Sequence, residues 1–305
     1  MRDIIIGARG SLLSTCQAEQ VIALLKKYFP GCEFSLQKIT TLGDKLKNWQ
    51  RQDKGIFVKE IEEALIKGKI DLAVHSLKDL PSYMPRELIL GAVTKREDPR
   101  DVLIVKQEKD LLRLKKGAVL GTSSLRRSSQ LVRWRKDLKI QDLRGNLDTR
   151  IRKLKEGQFD GIVVAAAGIK RLGFKDIFFK FISPEVILPA VGQGALGIQI
   201  RKQDTFIQDL VKKINHRKTY FCASCERAFL KEISGGCRLP LGALAQIKDK
   251  RIYLDALITS IDGQRMVRVR KSSPIEEAEI LGMKVARIIL AKGGSEILRD
   301  VKENW

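Results

Sequence analysis

Apolar positions along the first two-thirds of the chain alternate between short β-rich runs and stripes at helical spacing. Residues 4–6 and 34–39 read as strands. Between them residues 12–29 form a helical pattern, with Leu13, Ala18, Val21, Leu24, Leu25 and Tyr28 near one face and Pro30-Gly31 as the stop. A second amphipathic stretch at 57–67 ends at Gly68, and a strand at 71–74 runs straight into His75-Ser76-Leu77-Lys78-Asp79-Leu80-Pro81. The rhythm then repeats: strands at 102–105, 118–120, 140–143 and 161–166, with helices running through Trp134 and over 147–156. Residues 195–200 read as a strand returning to the first sheet. Such alternation predicts parallel sheets covered by helices on both faces, with ligands at the carboxyl ends of the strands.

The pattern changes near residues 215–217. A helix at 218–232 is followed by Gly235-Gly236-Cys237 and then by period-two alternation at 241–247, 252–259 and 265–269. Asp262-Gly263 predicts a hairpin turn between the last two strands. A helix over 274–290 closes this region, with Ile280, Met283, Val285 and Ile288 as its apolar contacts. The expected fold is α/β. Two α/β domains, 1–95 with 195–214 and 96–194, are followed by a smaller α+β domain, 215–305.

A chain of 305 residues suits more than one domain. The longest apolar runs fall short of a bilayer span, and the N-terminal residues do not resemble a signal peptide, so a cytoplasmic protein without a membrane segment is expected. Five cysteines, an odd number, argue against a disulfide framework. The formal charge of +22 raises nucleic-acid binding as a third-ranked function. The basic residues are dispersed, however, and aromatic side chains do not interleave with them as a stacking platform requires. No nucleic-acid partner is expected.

Candidate chemistry concentrates in a few places. Six arginines (126, 127, 133, 135, 144 and 150) fall between Gly121 and Arg150, just after Thr122, Ser123 and Ser124. Guanidinium forks and hydroxyls at strand-to-helix junctions match a ligand bearing several carboxylates or phosphates. Arg144, Gly145 and Arg150 sit at one such junction, where glycine permits close backbone approach. Arg133 and Arg135, farther along the helix, read as a solvated face. Lys78-Asp79 at a strand end places a carboxylate among cations, where it can steady a developing cation or move a proton; a solvated turn is the plainer alternative. The thiol of Cys237 follows two flexible glycines and can face a ligand, although as a bare motif this is weak. Cys222 and Cys225 have a metal-like spacing, with His216 and Cys237 as conceivable further ligands. They lie within a predicted helix, where core packing is the better reading.

These segments resemble the porphobilinogen deaminase (hydroxymethylbilane synthase) family. The matching blocks are 8–11 (ARGS), 54–62 (KGIFVKEIE), 71–81 (DLAVHSLKDLP), 96–102 (REDPRDV), 121–127 (GTSSLRR), 143–150 (LRGNLDTR), 165–173 (AAAGIKRLG), 188–198 (LPAVGQGALGI) and 235–243 (GGCRLPLGA). The resemblance implies two periplasmic-binding-protein-like domains around a cleft plus the smaller C-terminal domain. It implies a monomer with a dipyrromethane cofactor bound covalently through Cys237. The activity it implies is deamination of four porphobilinogen units and their joining head to tail into hydroxymethylbilane. Asp79 takes the catalytic role. Ser11, Lys78, Thr122, Ser124, Arg126, Arg127, Arg144, Gly145 and Arg150 fall to the cofactor; Arg9, Gln17, Arg144, Arg150 and Arg171 fall to substrate carboxylates. Phe57 would cover the cleft or a pyrrole ring. The sequence departs from the family at Leu42, where arginine is frequent, and at Arg238, where glutamine is common. A non-catalytic two-lobed anion-binding protein is the alternative, and the pairing of Asp79 with Cys237 argues against it.

Overall fold

The structure, a computed structural model, describes residues 3–45, 57–107, 114–233 and 239–303. In chain order the elements are β1 (Ile4–Arg9), α1 (Leu12–Tyr28), β2 (Phe34–Ile39), the single turn α2 (Leu42–Lys45), α3 (Lys59–Ile66), β3 (Leu72–Ser76), β4 (Leu88–Val93), β5 (Asp101–Val105) and β6 (Val119–Gly121). They continue with α4 (Leu125–Trp134), β7 (Lys139–Gln141), α5 (Leu147–Lys155), β8 (Gly161–Ala165), α6 (Ala166–Leu172), β9 (Phe178–Phe181), β10 (Leu196–Arg201), α7 (Thr205–Lys212) and α8 (Arg217–Glu232). The last are β11 (Leu241–Lys248), β12 (Arg251–Thr259), β13 (Met266–Pro274), α9 (Ala278–Ile289) and α10 (Ser295–Glu303). The chain divides into two compact units, residues 1–97 with 195–223 and residues 98–194 with 224–305.

The first unit is built on a sheet ordered β2-β1-β3-β10-β4. Side chains alternate across it. Ile4, Ile6 and Ala8 join one core with Ala18, Val21 and Leu25 of α1 and Ile207, Leu210 and Val211 of α7, whereas Ile5 faces the cluster around Ile61 and Leu65 of α3. Helix α1 starts where Ser11 Oγ accepts the Ser14 N–H at 3.3 Å, and Lys26 and Lys27 lie in its last turn, favourable for the helix dipole. Asp204 caps α7 in the same way, accepting from the Ile207 N–H at 3.1 Å.

The second unit repeats the plan. Its sheet runs β7-β6-β8-β5-β9, and beside it stands the antiparallel β11-β12-β13. In each five-stranded sheet three parallel strands are followed by one strand, β10 in the first and β5 in the second, that pairs antiparallel with both its neighbours. The sheets are therefore mixed rather than parallel as the alternation predicts. Alternation of elements does not show the direction of a strand that arrives by a long connection. Residues 195–200 do return to the first sheet, as β10 beside β3.

Other differences are local. Strands β4 and β9 lie outside the sequence expectation, and the helix expected over 274–290 is shorter, because β13 runs on to Pro274 and α9 begins at Ala278. Past α9 the chain turns at Gly293 (φ 99°) and continues as α10. The Asp262-Gly263 turn is present, with Gly263 at φ 71° and the Gly263 N–H bonded to Ser260 O at 3.0 Å. Cys222 and Cys225 are buried in α8, and among the described residues no three histidine, cysteine or carboxylate side chains group as a metal site would. His216 instead supports the start of α8, where its Nδ1 accepts the Thr219 N–H at 3.3 Å.

Candidate active site

In the first unit the β3 strand ends in a single 3-10 turn, Leu77–Asp79. Leu77 and Leu80 are buried in a cluster with Val58 and Val93, so the apolar members of the turn anchor it while Asp79 stays exposed. Asp79 lines a small recess together with Arg9, Ser14, Phe57, Val58, Val74, His75 and Ser76. This one recess thus gathers Arg9, Phe57 and Asp79, which are far apart in sequence.

Arg9 ends β1, and its guanidinium lies over the Phe57 ring at 4.1 Å. Phe57 in turn sits against Gly43, where an added Cβ would stand 2.2 Å from the ring. The Arg9 fork already holds Asp44 through Nη2 and, at 3.5 Å, through Nε. Asp44 also accepts from Thr41 Oγ1 at 2.8 Å and the Thr41 N–H at 3.2 Å. Burial opposes ionisation of Asp44, yet these bonds and the Arg9 charge prevail and keep its carboxyl below the usual range. Gln17 is buried on α1, bonded to Ser76 through Nε2 at 2.9 Å, and Ser76 Oγ lies 3.1 Å from Gln17 Oε1. Ser11 Oγ donates to Ser14 Oγ at 2.8 Å in addition to capping α1. Lys78 lies half-buried between Leu77 and Asp79.

In the second unit the parallel strands β6 and β7 end side by side, with Gly121 paired to Gln141, so the loops that follow them meet. Ser123 Oγ donates to Leu143 O at 2.7 Å and accepts the Leu143 N–H at 3.1 Å, locking one loop to the other. Thr122 is buried, its Oγ1 accepting the Ser124 N–H at 3.3 Å. Ser124 and Asn146 are the capping residues of α4 and α5. The joined loops bring Thr122, Ser124, Arg144, Gly145 and Arg150 to one end of the sheet. Gly145 has φ 110°, where any side chain would be strained, and an added Cβ would meet Thr149 at 2.8 Å. Arg144 Nε donates to Asp142 at 2.6 Å and Arg150 Nε to Gly145 O at 2.8 Å. Burial would raise the Asp142 carboxyl; hydrogen bonds from Ser123 and Arg144 and the charges of Arg144 and Arg150 lower it on balance.

Arg126 and Arg127 are placed differently. Both are buried, and both grip Asp101 at the start of β5. Arg126 Nη1 donates to Asp101 Oδ2 at 2.7 Å and to Leu188 O at 2.8 Å; Arg127 reaches Asp101 Oδ1 through Nε at 3.0 Å and Nη2 at 2.8 Å. Gln193 Nε2 adds a bond to the same oxygen at 3.0 Å. Burial disfavours an ionised Asp101, but the two guanidinium charges overcome it and hold the carboxyl far below its usual range. Arg171 near the end of α6 donates to Gly194 O at 2.7 Å.

Arg133 is exposed, as the sequence predicts, and Arg135 is half-buried; both nevertheless make specific contacts. Arg133 Nη1 donates to Gly263 O at 3.1 Å and Gln264 O at 3.0 Å, clasping the hairpin turn, and Arg135 binds Asp137 and the carbonyls of Leu114 and Lys115. Sequence reasoning missed Asp44, Asp101 and Gln193, because no local pattern announces a partner that only the fold delivers. Cys237 and Arg238, and Lys54 to Ile56 of the 54–62 block, lie outside the described residues.

Two family models match the chain: "Porphobilinogen deaminase, dipyromethane cofactor binding domain" over residues 4–209 and "Porphobilinogen deaminase, C-terminal domain" over residues 220–291. The porphobilinogen deaminase of Alkaliphilus metalliredigens is 45% identical over 304 residues, which is 99% of this chain and 96% of that protein. Those of Pelotomaculum thermopropionicum and Thermus thermophilus are each 43% identical, covering 99% of this chain and 98% and 100% of their own length.

Proposed function

This chain belongs to the porphobilinogen deaminase family, and on that premise we propose which of its residues carry the activity. The reaction deaminates porphobilinogen and joins four units head to tail into linear hydroxymethylbilane, on a covalent dipyrromethane primer. Asp79 is the catalytic carboxylate. The observation that carries this assignment is its placement on the anchored turn after β3, lining a recess with Arg9, Phe57 and His75. As ammonia leaves the aminomethyl group, positive charge develops on the pyrrole nitrogen. A fixed carboxylate nearby lowers the energy of that state and can accept the pyrrole proton.

The residues present fit a dipyrromethane. Its acetate and propionate groups require several cationic forks and hydroxyls, and the joined loops after β6 and β7 offer Thr122, Ser124, Arg144, Arg150 and the open backbone at Gly145. Arg126 and Arg127 serve as cofactor ligands with part of each guanidinium already committed to Asp101. Ser11 and Lys78 complete the cofactor set, and Arg9, Gln17 and Arg171 serve substrate carboxylates together with Arg144 and Arg150. Cys237 is the attachment point. When bound, the cofactor supplies the pyrrole carbon from which the chain grows. We further assign residues 215–305 to a C-terminal domain bearing that thiol, and propose a cytoplasmic monomer. No helix among the described residues is long and apolar enough to cross a membrane.

Asp79→Asn tests the assignment. The variant should keep its cofactor and lose turnover by about a hundredfold or more, the usual scale for removing a preorganised charge. Turnover within a factor of about two of the parent enzyme would take Asp79 out of the catalytic role.

A further inference from the structure

Behind the recess a chain of polar side chains leads into the interior of the first unit. Gln199, on β10, is fully buried; its Nε2 donates to Glu62 Oε1 of α3 at 2.7 Å, and its Oε1 lies 3.1 Å from His75 Nε2. Burial raises the Glu62 carboxyl and the Gln199 bond lowers it in part; the oxygen that meets Gln199 is an acceptor, so Glu62 takes the NH2 end of the amide and leaves the amide oxygen facing the imidazole. That oxygen also only accepts, so His75 must donate from Nε2. A neutral imidazole carries one hydrogen, and Nδ1 is then bare.

Building on the catalytic assignment of Asp79, we propose that Glu62 and Gln199 are positioning residues that hold His75, a wall of the Asp79 recess, as the Nε2–H tautomer with an unprotonated Nδ1. The surroundings agree. Burial disfavours an imidazolium, the Gln199 oxygen favours it, and the Arg9 charge disfavours it; the balance lowers His75 to about 4. Among the charged groups around His75, Arg9 comes from β1, Asp79 from the turn and Glu62 from α3. An imidazolium here would compete with the pyrrole cation for Asp79. A ring held neutral leaves the carboxylate as the counter-charge of the reaction.

The chain has two histidines, His75 and His216, which makes the test direct. Nitrogen-15 NMR of the imidazole rings in the holoenzyme, assigned with His216→Gln, should show His75 as the neutral Nε2–H form from about pH 5.5 to 8. In Gln199→Glu a carboxylate faces Nε2. There His75 should titrate within that range, and kcat should fall about tenfold as it becomes protonated, with KM changing less than about twofold. In Glu62→Gln the NH2 end of Gln199 is no longer selected, and both tautomers should appear. A Nδ1–H signal, or a His75 midpoint near 6.5, in the parent enzyme would overturn the proposal even if neither variant folds. So would a kcat profile in Gln199→Glu that ignores the His75 titration. Asp79→Asn should leave the NMR pattern in place, so a failure of the Asp79 assignment is read separately from a failure of the relay.

Discussion

Arg9 and Asp79 line the same recess but are held in different ways. Arg9 is tied to Asp44 and stacked on Phe57, so both its charge and its plane are fixed before any ligand arrives. Asp79 is held by its neighbours Leu77 and Leu80, which are buried on either side of an exposed carboxylate. Replacing Phe57 with leucine should remove the ring under the Arg9 guanidinium and raise KM several-fold, by about 1 kcal/mol of lost stacking and orientation, while kcat changes less. His75 makes a prediction about stability. Its folded pKa of about 4 lies below the ordinary 6.5, so the unfolded chain binds more protons between those values. The contribution is in full force above about pH 6.5 and fades as pH falls towards 4, by roughly 3 kcal/mol in all. Denaturant midpoints should drop over that window in the parent protein and drop less in His75→Gln. At this scale the sequence was informative about identity and silent about partners. The motif at 75–81 pointed to Asp79, but Glu62 and Gln199 lie 137 positions apart and Gln199 lies 124 from His75.

At the scale of elements, β5 and α4 are joined by one buried carboxylate between two guanidinium groups. Asp101→Asn would leave both arginines underpaired in the interior and should cost about 3–5 kcal/mol, read as a lower midpoint of unfolding. A second element contact depends on the absence of a side chain. Gly282 of α9 meets α8 so closely that an added Cβ would stand 2.2 Å from the Cys225 carbonyl oxygen. Gly282→Ala should therefore force α9 away from α8 and cost about 1–3 kcal/mol or more, again by denaturation. Periodicity located β1, α1, β2, α3 and β3 because each has a run of apolar residues long enough to show its repeat. It passed over β4 and the short β9 strand, and it could not give the direction of β10. The six clustered arginines show the limit most clearly. Their composition is uniform, yet the fold gives Arg126 and Arg127 to Asp101, Arg133 to the Gly263 turn, and Arg144 to Asp142.

At the scale of the molecule, the formal charge of +22 stands against a substrate carrying two carboxylates. Such a field raises the encounter rate of an anion and is screened by salt. With substrate capture sensitive to it, kcat/KM should fall several-fold as ionic strength rises from roughly 0.05 to 0.5 M, with kcat far less affected. A flat salt profile would assign the charge to another purpose. A chain that builds a tetrapyrrole on a primer attached to Cys237 carries that primer in the intact mass of the purified protein. The mass should exceed that of the bare chain by one dipyrromethane, and Cys237→Ser should lose that increment. An unmodified parent chain that makes no hydroxymethylbilane from porphobilinogen would contradict both the attachment and the activity.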